Sequence, residues 1–202
     1  MDINFISGEA LSEEYRIKIS RIFAKSFYQW FQYFSHDTEK IALAFQNSFV
    51  LEQFYFAVCE NEICGMAACT DGKNPSIKFV KKDLHKQFGI FKGTIAWLTL
   101  KKEIENHPYP FRMESSCGSI EFVAVDEKFR KKGIATSLLK HIINAADYDE
   151  FILEVADTNT SAVNLYKNVG FEVFMSIPCK SPKQTGFNNY LYMRYKKQVN
   201  GQ

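Results

Sequence analysis

The chain has 202 residues, of which 46% are hydrophobic, 24% charged and 15% aromatic. That length and balance suit one globular domain over 1–202 and exclude disordered, collagen-like and coiled-coil chains. The formal charge of +2 gives no general pull toward nucleic acid or an anionic membrane, so any anion site must arise from local geometry.

Met1 to Phe5 lacks the basic start and apolar stretch of a signal peptide, and no apolar run approaches the ~20 residues of a membrane helix. Cys59, Cys64, Cys69, Cys117 and Cys179 are odd in number and form no Cys-x-x-Cys pair. They read as reduced thiols of a cytoplasmic protein. His36, His85, His107 and His141 are scattered and offer no metal-ligand spacing, so no metal is expected.

Residues 3–6 read as a first strand closed by Ser7-Gly8. Ile19, Phe23, Phe27, Trp30 and Phe34 then recur at steps of three and four residues, which predicts a helix over about 12–34. Asp37 to Lys40 opens a second helix that carries Ile41, Phe45 and Phe49. Residues 54–70 place apolar runs on either side of Glu60-Asn61-Glu62, a hairpin pattern, and Asp71 to Pro75 is a turn. A long helix is expected over 81–105, with Leu84, Phe88, Phe91, Ile95 and Leu98 as one inward stripe. Gly89 and Gly93 within it either bend it or admit a close neighbour. The last 90 residues alternate strand and helix. Buried strands are expected at 119–125 and 151–155, helices at 132–146 and 161–169, and a strand pair at 171–177 and 190–195. The short crossovers imply neighbouring parallel strands. The class is α/β or α+β around one mixed sheet.

One segment carries chemistry. Strand 119–125 runs through Asp126-Glu127-Lys128-Phe129-Arg130-Lys131-Lys132 into a helix that begins at Gly133. Amides at a helix start have no intrahelical partner and sit at the positive end of the dipole, which makes an anion site suited to phosphate. Arg130, Lys131 and Lys132 would add positive charge to it. Taken alone, three basic residues are equally a solvated loop, and Gly133 a turn residue. No Gly-x-Gly and no Gly-x-x-x-x-Gly-Lys stands in the chain, so dinucleotide and nucleoside-triphosphate loops are not expected.

Arg130-Lys131-Lys132-Gly133-Ile134-Ala135 resembles the Arg/Gln-x-x-Gly-x-Gly/Ala signature of the GNAT superfamily of N-acetyltransferases. Asn159, Ala162, Leu165-Tyr166 and Gly170-Phe171 are similar to its second pattern, in the right order. The likeness covers about 117–177 and extends to 54–70. Residues 71–115 depart from it as a helical insertion where relatives often have a hairpin turn.

The resemblance implies a GNAT-like α/β fold, a mixed and mostly antiparallel sheet flanked by helices. It also implies transfer of an acetyl group from acetyl-CoA to a primary amine of a small molecule or peptide, by direct attack in a ternary complex. Residues Arg130 to Ala135, with Thr136, would hold the pyrophosphate. The backbone of Phe122, Val123, Ala124 and Val125 would pair with the pantetheine arm and stabilise the oxyanion. Asn159 would touch that arm, unless it is only a helix cap. Tyr166 is implied as the acid for the departing thiolate, with half-buried packing as its alternative. Glu121, read as sharing a strand face with Val123 and Val125, is the candidate base. A water relay, or an ion pair from Glu121 to the N-terminal helices, are the alternatives. Family members often pair, so a homodimer is one option. A non-catalytic acyl-CoA sensor is the second reading of the same site, and only the enzyme needs Glu121 and Tyr166. The stripe Phe23, Phe27, Trp30 and Phe34 is either core or a border of the acceptor cleft, and the loop 178–187 is a further candidate wall.

Overall fold

The computed structural model describes residues 2–198. Seven strands form one sheet: β1 (Asn4–Ser7), β2 (Phe54–Cys59), β3 (Glu62–Thr70), β4 (Cys117–Val125), β5 (Glu150–Ala156), β6 (Glu172–Pro178) and β7 (Asn189–Lys196). Their order is β1-β2-β3-β4-β5-β7-β6, and β4–β5 alone is parallel. Glu60 and Asn61, both with positive φ, make the two-residue turn that joins β2 to β3.

The helices are α1 (Arg16–Ser26), α2 (Tyr28–Phe31), α3 (Thr38–Phe45), α4 (Lys81–Phe88), α5 (Ile90–Leu100), α6 (Ile134–Ala145), α7 (Thr160–Val169) and α8 (Pro182–Thr185). A cluster rich in aromatics, including Phe23, Phe31, Phe45, Phe54 and Phe56, fills the space between the sheet and helices α1, α3, α4 and α5. Leu138, Ile142, Phe151, Val163 and Phe171 build a second cluster under α6 and α7. Each such side chain contributes roughly 1.5–3 kcal/mol on burial, so the sheet is clamped from both faces. No helix among the described residues is long and apolar enough to cross a membrane.

Several expectations change in the folded chain. The 12–34 helix is a 3-10 turn at Glu13–Tyr15, then α1 and α2 with a break at Phe27. The helix over 81–105 is two helices and a π-helical turn at Lys101–Glu105, broken at Gly89, whose φ of 80° and ψ of 165° no helix contains. Its inward stripe is not one stripe. Leu84 is buried, but Phe91, Ile95 and Leu98 face outward, and Gly93, Ala96 and Leu100 take the inner side of α5. On α7 the buried positions are Val163, Tyr166 and Val169. The crossover through α6 does join parallel neighbours, whereas β7 inserts between β5 and β6.

Candidate active site

The parallel pair β4–β5 is the origin of the cleft. Its partners run only from Cys117↔Glu150 to Ser119↔Ile152, while β4 continues to Val125 and β5 to Ala156. Beyond Ser119 the two strands splay. β5 stays paired with β7 along its whole length, and β4 with β3, so the edges that face each other across the splay lack a partner strand. Such edges accept an amide-bearing chain as a substitute strand.

A bulge shapes β4 at this point. Met66 faces Ala124 and Ala68 faces Glu121, so Ala67 alone opposes both Phe122 and Val123. Phe122 takes a φ of 52°, a left-handed conformation rare for an aromatic residue. The extra residue resets the alternation of side chains. Phe122 and Ala124 pack into the aromatic cluster, while Ile120 and Val123 lie on the α6 and α7 side. Glu121 therefore stands on the α1 side, opposite Val123 and Val125, which corrects the shared face expected from strict alternation.

Glu121 is enclosed by hydroxyls and not by cations. Thr70 Oγ1 and Ser119 Oγ donate to Oε1 at 3.1 and 2.9 Å, and Ser76 Oγ donates to Oε2 at 2.6 Å. Ser119 Oγ in turn meets the Tyr109 hydroxyl at 2.7 Å. Burial raises the Glu121 pKa above its ordinary value, the three hydroxyl bonds oppose that rise, and the nearby Asp71 charge adds to it. Glu121 lines the cleft wall, and its three hydroxyl partners leave no ion pair to the N-terminal helices among the described residues.

At the other end, Lys131 (φ 60°) and Gly133 (φ 78°, ψ 1°) turn the chain from the Glu127–Phe129 turn into α6. The first helical bond in α6 runs from Ser137 N–H to Gly133 O at 3.0 Å. The amides of Ile134, Ala135 and Thr136 thus precede the ladder, at the positive end of the dipole. A Cβ at Gly133 would meet no atom within 4 Å. Glycine is needed there for the backbone angle, and the space above it is open for a ligand. Arg130 Nε donates to Val125 O at 3.3 Å, which fixes its base beside the splay. Lys132 places its Nζ 5.2 Å from the Phe129 ring centre and does not line the cleft.

One cleft of about 1320 Å³ connects the two ends. Phe122 to Val125, Arg130, Lys131, Gly133 to Thr136, Glu121, Asn159 and Tyr166 all line it. Lys132 is the sole expected site residue outside the lining. Asn159 caps α7, its Oδ1 accepting from Ala162 N–H at 3.2 Å. Tyr166 is buried, and desolvation pushes its phenol above the ordinary 10 so that it keeps its proton. The α1–α2 stripe divides: Phe23 and Phe34 are core, while Phe27 and Trp30 border the cleft. Residues 71–115 supply a wall through Ser76, Ile77, Glu105, His107 and Tyr109, and Phe187 supplies another from the 178–187 loop.

Sequence reasoning did not find Ser76, His107, Tyr109 or Glu154. His107 Nε2 lies 3.6 Å from Glu154 Oε2, and that contact raises the His107 pKa. No local pattern marks these four: the insertion brings Ser76, His107 and Tyr109 to the site through tertiary packing, and Glu154 faces them from β5. The five cysteines are buried and unpaired, and burial pushes the Cys69 and Cys117 thiols up to about 12, which leaves them poor nucleophiles. No group of three His, Cys, Asp or Glu side chains that could hold a metal occurs among the described residues.

Known proteins resemble the chain in sequence and in fold. The N-alpha-acetyltransferase 30 of Xenopus laevis is 44% identical over 72 residues, which is 34% of this chain and 25% of that protein. An N-alpha-acetyltransferase of Sulfurisphaera tokodaii is 40% identical over 62 residues, 27% of this chain and 35% of that protein. The matched stretch is thus a minor part of these curated relatives. Among solved structures, an N-acetyltransferase from Staphylococcus aureus Mu50 superposes with a TM-score of 0.60 at 17% identity, covering 95% of this chain and all of that one. A putative acetyltransferase from Salmonella typhimurium, solved with acetyl-CoA, gives 0.57 at 12% identity over 100% of this chain and 98% of that one. Both share the fold. A sequence model of the acetyltransferase (GNAT) family matches residues 16–171, and the chain belongs to that family.

Proposed function

We propose that the protein is an N-acetyltransferase that moves an acetyl group from acetyl-CoA to a primary amine of a small molecule or peptide, by direct attack in a ternary complex. The observation that carries this reading is the continuity of one cleft from the free amides at Gly133 to the enclosed carboxylate of Glu121. The residues fit the cosubstrate: open space over Gly133, three unpaired amides and Arg130 suit a diphosphate, and the unpaired β4 edge suits the pantetheine arm. When bound, acetyl-CoA supplies a thioester carbonyl as the electrophile.

The chain's own residues serve three tasks in this proposal. Backbone groups of Phe122 to Val125 orient the arm, and their N–H groups face the carbonyl where negative charge develops. Glu121, directly or through water, takes a proton from an amine whose ordinary pKa is about 10.4 when it is lysine-like. As the amine nitrogen bonds to the carbonyl carbon and the carbon–sulfur bond breaks, the Tyr166 hydroxyl gives its proton to the departing sulfur. Phe27, Trp30, Ser76 and His107 border the space left for the acceptor. The relatives named as N-alpha-acetyltransferases make a peptide N-terminus the first acceptor to test. Unpaired, buried cysteines support a reducing, cytoplasmic setting.

Calorimetry with acetyl-CoA, followed by thiol release over a panel of peptide and small-molecule amines, tests this reading. Expected are uptake of acetyl-CoA and amine-dependent release of one thiol per acetylated product. Uptake without release on any amine would favour the sensor, and absence of uptake would remove both readings.

A further inference from the structure

Residues 78–102 hold seven lysines and a single acid, Asp83. That acid is buried and its Oδ2 accepts from Asn47 Nδ2 at 2.8 Å. The stretch thus carries +6 within a chain of formal charge +2, a concentration that whole-chain composition averages away. Its acidic neighbours are Glu103, which pairs with Lys102 at 2.8 Å, and Glu105, whose Oε2 accepts from Phe79 N–H at 3.1 Å.

The same stretch exposes an apolar face. On α5, Phe91 is 82% exposed, Ile90 77%, Leu98 57% and Ile95 42%. Phe91, Ile95 and Leu98 follow the spacing of one helix face. The inner side of α5 is already satisfied by Gly93, Ala96 and Leu100, so the outer row adds nothing to the core. By helical rotation Lys92 flanks this row on one side and Lys101 on the other. Lys101 and Lys81 lie 5.1 and 5.0 Å from the Trp97 ring centre, and Trp97 Nε1 donates to Phe79 O at 3.2 Å. The result is bulky apolar tips, a tryptophan at the shoulder and long lysine stems beside it. That combination suits a bilayer interface, where apolar tips enter the acyl boundary and lysines reach the phosphates.

Charge decides among occupants. A second copy seated face to face through α5 would set two lysine rims against each other. An anionic surface complements them. We propose that α5 docks the protein peripherally on anionic phospholipid bilayers, with Ile90, Phe91, Ile95 and Leu98 inserted and Lys81, Lys92 and Lys101 at the headgroups. Eleven residues make a helix of only about 16 Å, so the attachment is weak and reversible. It is independent of the acetyl-transfer reading.

The test is co-sedimentation of the full chain with phosphatidylcholine vesicles, with and without phosphatidylserine, over a salt series. Expected is binding only to the phosphatidylserine vesicles, falling as salt rises. Two double variants, Phe91→Ser with Leu98→Ser and Lys92→Ala with Lys101→Ala, should each bind weakly. The lysine pair should cost about five-fold per charge, and both variants should keep the circular dichroism of the parent. On the unmodified chain, backbone amides of residues 90–102 should exchange more slowly when vesicles are present. No sedimentation, equal binding to neutral and anionic vesicles, or undiminished binding of both variants would each overturn the proposal. A concentration-dependent dimer abolished by Phe91→Ser with Leu98→Ser, without vesicle binding, would overturn it in favour of a self-contact.

Discussion

Ser76 and Glu121 are separated by 45 residues in the chain and by 2.6 Å between Oγ and Oε2. Ser76 is held in place from outside the cleft, because Val50 N–H donates to Ser76 O at 2.9 Å and Lys78 N–H to Ser48 O at 2.7 Å. The strand-like stretch beside Phe49 and Ile77 thus serves as the arm that carries a hydroxyl to the carboxylate. Ser76→Ala removes one of three donors that favour the charged form, so the Glu121 pKa should rise further. The acid limb of kcat/KM should then move to higher pH, and the rate near neutrality should fall by about ten- to a hundredfold, as loss of a bond to a charged group costs ~1.5–3 kcal/mol. Ser76→Thr should restore most of it. An unmoved pH profile would show that Glu121 does not control the rate.

Tyr166 offers a cleaner separation of stability from chemistry. Its ring is packed beside Phe171, and no side-chain hydrogen bond to its hydroxyl occurs among the described residues. Tyr166→Phe therefore orphans no partner and should alter stability by less than about 0.5 kcal/mol. If the hydroxyl protonates the departing sulfur, kcat should drop about a hundredfold with acetyl-CoA affinity unchanged. Equal turnover in the phenylalanine variant would assign Tyr166 to packing alone.

What could be read from the residues follows the range of the interactions. The α6 start at Gly133 and the cap of α7 at Asn159 are local devices, and both stand where spacing puts them. The β4–β5 neighbourhood is encoded by a short crossover and is equally legible. The Phe122 bulge is not, because a one-residue slip against β3 leaves no trace in the hydrophobic pattern, and it reverses the face of Glu121. The hydroxyl ring around Glu121 draws on Thr70, Ser76 and Ser119 from three separate segments, so no sequence window contains it. On α5 the periodicity is real but does not fix which face turns inward. An apolar row at helical spacing predicts a buried face only when something covers it, and Gly93 turned the opposite face inward.

Gly133 should respond to substitution through two separable terms. Its φ of 78° costs an L-residue roughly 1–2 kcal/mol, while the absence of atoms within 4 Å of a Cβ means no clash in the free protein. Gly133→Val should thus lower stability by about that amount and weaken acetyl-CoA far more, since its side chain occupies the space over the free amides. Calorimetry and denaturant melts on one preparation read both terms. A valine variant with unchanged affinity would contradict the assignment of this loop to the diphosphate.

Gly93 tests the packing of α4 on α5. A Cβ there would lie 2.8 Å from Leu84 O and 2.9 Å from His85 Cα, both backbone atoms that cannot swing aside. Alanine is the better helix former by about 1 kcal/mol, so propensity alone predicts stabilisation by Gly93→Ala. Overpacking costs typically 1–3 kcal/mol and should win. Urea unfolding should show a net loss, and a gain would mean that the two helices are free to separate.

The His107–Glu154 contact sets the sign of a pH effect on stability. The carboxylate raises the folded pKa of His107 above its ordinary 6.5. The folded protein then binds the proton more tightly than the unfolded chain does. The stabilisation is fully present below the unfolded pKa and is lost as pH rises through the higher folded one. Both side chains are partly exposed, so the contribution should stay below about 1 kcal/mol. The difference in Tm between the parent and His107→Gln should be largest near pH ~5.5 and vanish by about pH 9. In a Glu154→Gln background, His107→Gln should show no such pH-dependent difference. A gap between parent and variant that does not change with pH would mean that His107 acts there through packing and not through charge.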